Sequence, residues 1–206
     1  MDVMYYDHPL IQNKLAMLRD ERTSMQTFRE VMSELSGLMS YEATKDLRTR
    51  EASVTTPFGE ADVRVLDQEV VIVPILRAGL GMVSTIHSLI PHARVGHIGL
   101  YRAEDAKPRQ YYAKLPDDLS DKVVLLLDPM LATGGTLKES VEILLTKDAS
   151  DIRYIGIVGC PEGLDYIRRH CPQLKVYLAA LDERLSEEKF IVPGLGDAGD
   201  RLFGTK

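Results

Sequence analysis

The residues with most chemistry to offer stand where an apolar run stops. Val123-Val124-Leu125-Leu126-Leu127 ends abruptly at Asp128, and Pro129-Met130-Leu131-Ala132-Thr133-Gly134-Gly135-Thr136 then leads into an amphipathic stretch. A phosphate is held best by converging backbone N–H groups at the positive end of a helix dipole. Thr133–Thr136 can present both: the glycines leave the approach open, and the threonines add hydroxyl donors. Asp128, fixed at a strand end, suits hydrogen bonds from sugar hydroxyls, although a carboxylate there could also simply cap the turn. No Gly-Lys-Ser/Thr follows at the required spacing, which excludes a nucleotide-hydrolysing P-loop.

Two further strand ends carry cations. Val70–Leu76 is followed by Arg77-Ala78-Gly79, a short turn suited to an anion, and Val95–Tyr101 is followed by Arg102. Residues 103–114 show no apolar periodicity, and with Arg102 they hold four cations against two carboxylates, so they read as a mobile loop. Near the C-terminus, Gly194-Leu195-Gly196-Asp197-Ala198-Gly199 matches G-x-G-x-x-G letter for letter. A dinucleotide fingerprint needs the remainder of a βαβ unit of about 30 residues, which is missing. A backbone clamp on a small planar ligand fits better, because Gly and Ala let main-chain N–H and C=O groups reach it.

The surrounding sequence supplies the elements that must position these groups. Apolar residues at three- and four-residue steps predict that the first fifty residues are helical, with a polar break from Asp20 to Ser24. The Met-rich stripe there is core or subunit interface. Ala52–Thr56 and Glu60–Leu66 flank Pro57-Phe58-Gly59 as a β-hairpin. From Val70 onward, Val/Ile/Leu runs (Val70–Leu76, Val95–Tyr101, Val123–Leu127, Tyr154–Gly159, Leu174–Leu181) alternate with amphipathic helices. That grammar predicts an α/β fold with an open, mostly parallel sheet covered by helices on both faces. Ligands of such sheets bind beyond the carboxyl ends of the strands, where Asp128, Arg77 and Arg102 fall.

Composition narrows the classes. The 206 residues carry a net charge of −6, which argues against a general nucleic-acid-binding surface. It leaves room for a local anion pocket, since six carboxylates against two cations are concentrated between Asp182 and Asp200. No apolar run approaches the roughly 20 residues of a membrane helix, and no signal peptide is visible. Cys160 and Cys171 lack a metal-binding spacing and read as reduced thiols, so the expectation is a single cytoplasmic domain spanning 1–206.

The string from Asp128 to Thr136 resembles the phosphoribosyl-pyrophosphate (PRPP) loop of the type I phosphoribosyltransferases, in the form found in the uracil phosphoribosyltransferase family. Most of that superfamily has two adjacent acidic residues at the head of the loop, whereas here Pro129 follows Asp128, as in the uracil enzymes. The resemblance extends from Asp7-His8-Pro9-Leu10 to Gly194–Thr205. It implies transfer of a phosphoribosyl group from PRPP to N1 of uracil, with Asp128, Arg102 and Asp197 as catalytic residues. PRPP would be held by Arg77, Arg102, the loop Asp128, Pro129, Met130, Leu131, Ala132, Thr133, Gly134, Gly135, Thr136, and Asp197. Uracil would lie in a C-terminal hood against Ile191, Gly196, Asp197 and Ala198. It further implies a non-proline cis peptide near Arg77, closure of the loop after Arg102, Mg²⁺ carried mainly by PRPP, and a homodimer or larger assembly. GTP is a possible effector on the same grounds, and no protein metal ligands are assigned. Two rivals stay open at this stage: a non-catalytic regulator that senses PRPP, and the same chemistry on orotate or hypoxanthine.

Overall fold

The computed structural model describes residues 1–102 and 108–205, with the side chain of Arg102 outside the description. The N-terminal part comprises β1 (Asp2–Tyr5), α1 (Pro9–Arg19), α2 (Met25–Ala43) and a hairpin of β2 (Thr49–Thr56) with β3 (Gly59–Leu66). The middle contains β4 (Val70–Leu76), a tight 3₁₀ turn over Ala78–Met82, α3 (Val83–Leu89), β5 (Arg94–Val95), β6 (His97–Arg102) and β7 (Pro108–Lys114). Then come β8 (Val123–Leu127), β9 (Met130–Leu131), α4 (Gly135–Leu145), β10 (Asp151–Gly159), α5 (Pro161–His170) and β11 (Lys175–Leu181). The chain closes with β12 (Arg184–Leu185), β13 (Ile191–Val192) and α6 (Ala198–Phe203).

The main sheet runs β1-β11-β10-β8-β4-β6-β7, with β5 beside β4 and β9 beside β10. Its pairings are parallel except β6 with β7. Both faces are buried, which explains why the strands read as unbroken apolar runs rather than alternating ones. Along β4, β8, β10 and β11 successive side chains enter two different cores. Val70, Ile72, Val123, Leu125, Leu127, Ile155, Ile157, Tyr177 and Ala179 meet α1, α2 and the C-terminal segment. Val71, Val73, Val124, Leu126, Tyr154, Val176 and Leu178 meet α4 and α5. Met32 and Met39 are fully buried in the first core, whereas Met17 and Met25 are exposed.

Two expectations are corrected. Residues Asp2–Tyr5 are not helical; they form an edge strand paired in parallel with Lys175–Leu178. Four residues carry too little pattern to announce a strand whose partner lies so far along the chain. Pro108–Lys114 is likewise not a loop but β7, paired antiparallel with His97–Arg102. Its side chains are largely exposed on both faces, so no alternation marks it in the sequence. The rest of the expected lid, residues 103–107, lies outside the described residues.

Chain order reverses between β8 and β4. From β8 the sheet passes to β10 on one side, and from β4 to β6 on the other. This switch point opens a crevice at the strand ends. Pro74 of β4 lies opposite Leu127 of β8, so the register itself sets Arg77 and Asp128 at the mouth of that crevice.

Candidate active site

Asp128 leaves β8 with its main chain fixed on both sides. Its N–H donates to the Ile155 carbonyl at 3.3 Å, and its own carbonyl accepts the Tyr154 hydroxyl at 2.7 Å. Tyr154 is fully buried, and burial, reinforced by the Asp128 charge, raises its pKa well above the ordinary value. The phenol thus stays protonated as a donor. The Pro129 carbonyl accepts N–H bonds from Ile157 and Val158, both at 3.0 Å, which presses the start of the loop against β10. Tyr154's hydrogen bond depends on the neighbouring strand and has no signature in its own segment.

The loop then turns into α4 at Gly134, whose φ of 82° lies in the left-handed region. The cap residue, Gly134, has no side chain to bond the helix's first backbone N–H groups, which lie at the loop end of the helix as an anion site would require. The back of the loop is held closely by α5. A Cβ on Gly163 would lie 2.3 Å from the Ala132 carbonyl oxygen, and the Cys160 thiol donates to that oxygen at 3.1 Å.

Both cysteines are buried and free. Burial pushes the Cys160 thiol from 9.0 up to about 11, and burial also raises Cys171. The shift lowers the thiolate fraction of Cys160 at pH 8 about 100-fold, and thiolate is the reactive form. Folded protein is expected to resist iodoacetamide at pH 8, with two thiols appearing after denaturation. Rapid labelling of the native chain at Cys160 would contradict this packing.

After β4, the Leu76–Arg77 peptide is cis, as the resemblance implied. The turn comes very close to β8: a Cβ on Gly79 would sit 2.4 Å from the Leu127 carbonyl oxygen. The Arg77 guanidinium reaches across to the C-terminal segment, where Nη2 stands 3.3 Å from Asp200 Oδ1.

The C-terminal segment forms the other wall. β12 and β13 pair antiparallel, Val192–Pro193 is cis, and Gly194 and Gly196 have φ of 64° and 77°. Asp197 Oδ1 accepts the Asp200 N–H at 2.9 Å and caps α6.

These parts enclose one cavity of about 360 Å³, which suits a small ligand. From the loop side it is lined by Asp128, Met130, Leu131, Ala132, Thr133, Gly134 and Thr136. From the hood side come Ile191, Gly196, Asp197 and Ala198. Pro129 and Gly135 are in the loop but do not line the cavity, and Arg77 stands at its edge beside Gly199. Arg102 ends β6, and its side chain lies outside the described residues. Ala78 of the Arg77 turn and Gly199 of the hood motif also line the cavity, together with Leu137, Glu188, Lys189 and Phe190, to which the sequence gives no pointer. Glu188–Phe190 reach it because the β12–β13 ribbon folds over the pocket, and a charged turn gives no sign of that.

A family model described as uracil phosphoribosyltransferase matches residues 4–205. The chain belongs to the uracil phosphoribosyltransferase family. Among curated relatives, a uracil phosphoribosyltransferase of Acholeplasma laidlawii is 55% identical over 201 residues, covering 97% of each chain. Another, from Dictyoglomus thermophilum, is 52% identical over 206 residues, covering 99% of this chain and 100% of its own. A solved protein of Aquifex aeolicus superposes with a TM-score of 0.94 at 36% identity, covering 99% of both chains. Family membership selects among the sequence readings: the regulator and the other-base enzymes give way to a PRPP-using transferase for uracil.

Proposed function

We propose that the chain transfers the 5-phosphoribosyl group of PRPP to N1 of uracil, giving UMP and pyrophosphate in pyrimidine salvage. The observation that carries this reading is a single cavity with a helix N-terminus on one wall and a glycine-rich hood on the other. In this reading Thr133–Thr136 bind the 5′-phosphate, and Asp128 accepts hydrogen bonds from the ribose hydroxyls. Backbone around Gly196–Ala198 reads the uracil edge, and Ile191 lies against its face. Uracil then attacks C1 of the ribose from the side opposite pyrophosphate, inverting that centre. Positive character grows on the ring and negative charge on the leaving pyrophosphate, so alignment and electrostatics do most of the work. Arg77 and Arg102 neutralise the leaving group. Asp197 stands in the hood wall and is the candidate acceptor for the N1 proton.

Among the described residues, no group of three or more His, Cys, Asp or Glu side chains is placed to hold a metal. The cavity's carboxylates are Asp128, Asp197 and Glu188, a sparse set that fits Mg²⁺ carried chiefly by PRPP oxygens and water. Bound that way, Mg²⁺ supplies charge neutralisation at pyrophosphate, and Asp128 and Asp197 are the side chains that would face it.

The same reading includes a cytoplasmic homo-oligomer. Fully exposed Phe58 at the hairpin tip and exposed Tyr41 on α2 offer apolar surface for assembly, and sedimentation would give its size. GTP is carried as a possible effector, checked by adding it to the assay. A panel of uracil, orotate and hypoxanthine with PRPP tests the substrate assignment, and turnover is expected with uracil alone. Ala198→Leu pushes bulk into the base half of the cavity, and overpacking of 1–3 kcal/mol corresponds to about 5- to 150-fold. The KM for uracil is therefore expected to rise about tenfold or more, with that for PRPP within about twofold. Equal rises in both would count against the hood as base site.

A further inference from the structure

The hood turn from Pro193 to Asp197 has little regular structure of its own, yet it must hold a planar ligand in register with the ribose. Its polar backbone is tied to distant parts of the chain. Asp182, 7% exposed at the end of β11, accepts the Gly194 N–H through Oδ2 at 2.8 Å. Arg19, at the end of α1, grips the same carboxylate with both guanidinium arms, Nη1 to Oδ2 at 2.8 Å and Nη2 to Oδ1 at 2.5 Å. Nη1 also donates to the Gly194 carbonyl at 2.7 Å. Both backbone polar groups of Gly194 are thus taken by one ion pair, with Gly196 two residues further on in the cavity wall.

The pair also reaches the opposite wall. The Asp182 N–H donates to the Gly159 carbonyl at 2.8 Å, and Gly159 pairs with Leu131 inside the PRPP loop. A short path of hydrogen bonds therefore runs from the PRPP loop through β10 and Asp182 to the base-binding turn. Buried ion pairs add little net stability but fix geometry well, and bidentate Arg–carboxylate pairs do so most strictly.

We propose that the Arg19–Asp182 pair is the positioning device of the base site, setting where Gly194–Gly196 stand relative to the PRPP loop. The role rests on the reading that the hood holds uracil. Neither side chain lines the cavity. Both act through the turn's backbone, where a displacement of about 1 Å can cost about 100-fold in rate.

The test measures KM for uracil, kcat, and PRPP binding by titration without uracil. Arg19→Met keeps the apolar stem and removes the grip; Arg19→Lys keeps the charge without the fork. Arg19→Met is expected to raise the uracil KM about tenfold or more and to lower kcat, with PRPP binding within about twofold of the parent. Arg19→Lys is expected to recover part of the uracil KM. A folded Arg19→Met protein with a parental uracil KM, or one losing PRPP and uracil affinity alike, would overturn the proposal. Should Arg19→Met not fold, Asp182→Asn, which retains an acceptor for Gly194, is held to the same limits. Ala198→Leu is run beside them. If it raises the uracil KM and the Arg19 and Asp182 variants do not, the positioning role alone falls. If Ala198→Leu also leaves that KM unchanged, the base-site assignment itself falls.

Discussion

Asp128→Asn should leave a folded protein that turns over PRPP about 100-fold more slowly. The backbone at 128 is held by Tyr154 and Ile155, so the isosteric amide keeps its place. On the proposed reading, what disappears is the negative charge that accepts from the ribose hydroxyls and offsets positive character on the ring. A hydrogen bond to a charged group contributes about 1.5–3 kcal/mol, and 1.4 kcal/mol is about tenfold in rate. Two ribose hydroxyls put the loss near the upper part of that range. Thermal unfolding should move by no more than a few degrees, since about 1 kcal/mol corresponds to about 2–4 °C in a chain of this size. Steady-state kinetics with PRPP as the varied substrate provide the check, and near-parental kcat/KM would remove Asp128 from ribose binding.

Gly163→Ala sets two effects of opposite sign against each other. Gly163 lies in the first turn of α5, where alanine would favour the helix by up to about 1 kcal/mol. Its new Cβ, however, would stand 2.3 Å from the Ala132 oxygen and 2.9 Å from the Leu131 oxygen. Both are backbone atoms of the 128–136 loop, so relief requires the loop or the helix to move. Overpacking of this kind costs about 1–3 kcal/mol, which exceeds the helix gain. The expected outcome is a KM for PRPP raised about tenfold or more, together with a lowered unfolding temperature. Gly163 does not line the cavity, so a parental PRPP KM would show that the loop tolerates displacement and is not the rigid cradle described.

The parts of the site that could be read in advance are those whose chemistry is local. Apolar runs on β4 and β8 end beside Arg77 at the cavity's edge and Asp128 in its wall, and the glycines of the loop and hood lie in the same short segments. Both-face burial gave those strands continuous apolar character, which is why their ends were sharp. By contrast, β1 consists of four residues stabilised by β11, and β7 is a solvated edge strand with no periodicity. Arg19 and Asp182 are 163 residues apart and become neighbours only because α1 ends beside the carboxyl edge of β11. Arg201 was equally hidden: it donates to the Leu18 and Asp20 carbonyls and to Leu195, and stacks 4.2 Å from the Phe28 ring. Spacing along the chain carries no trace of such contacts. The hood was visible as a motif, but its supports were not.

Charge shows the same division. A total of −6 argues against a polyanion-binding coat and says little about a recessed anion pocket. On the proposed reading, that pocket uses uncharged N–H groups at the start of α4, with Arg77 at its edge.

The most direct measurement is the simultaneous yield of UMP and pyrophosphate from the intact chain supplied with uracil, PRPP and Mg²⁺. The two products are expected in equal amounts, neither forming when uracil or PRPP is left out. Pyrophosphate released without uracil, or no UMP from folded protein that binds PRPP, would contradict a single cavity that joins the two substrates.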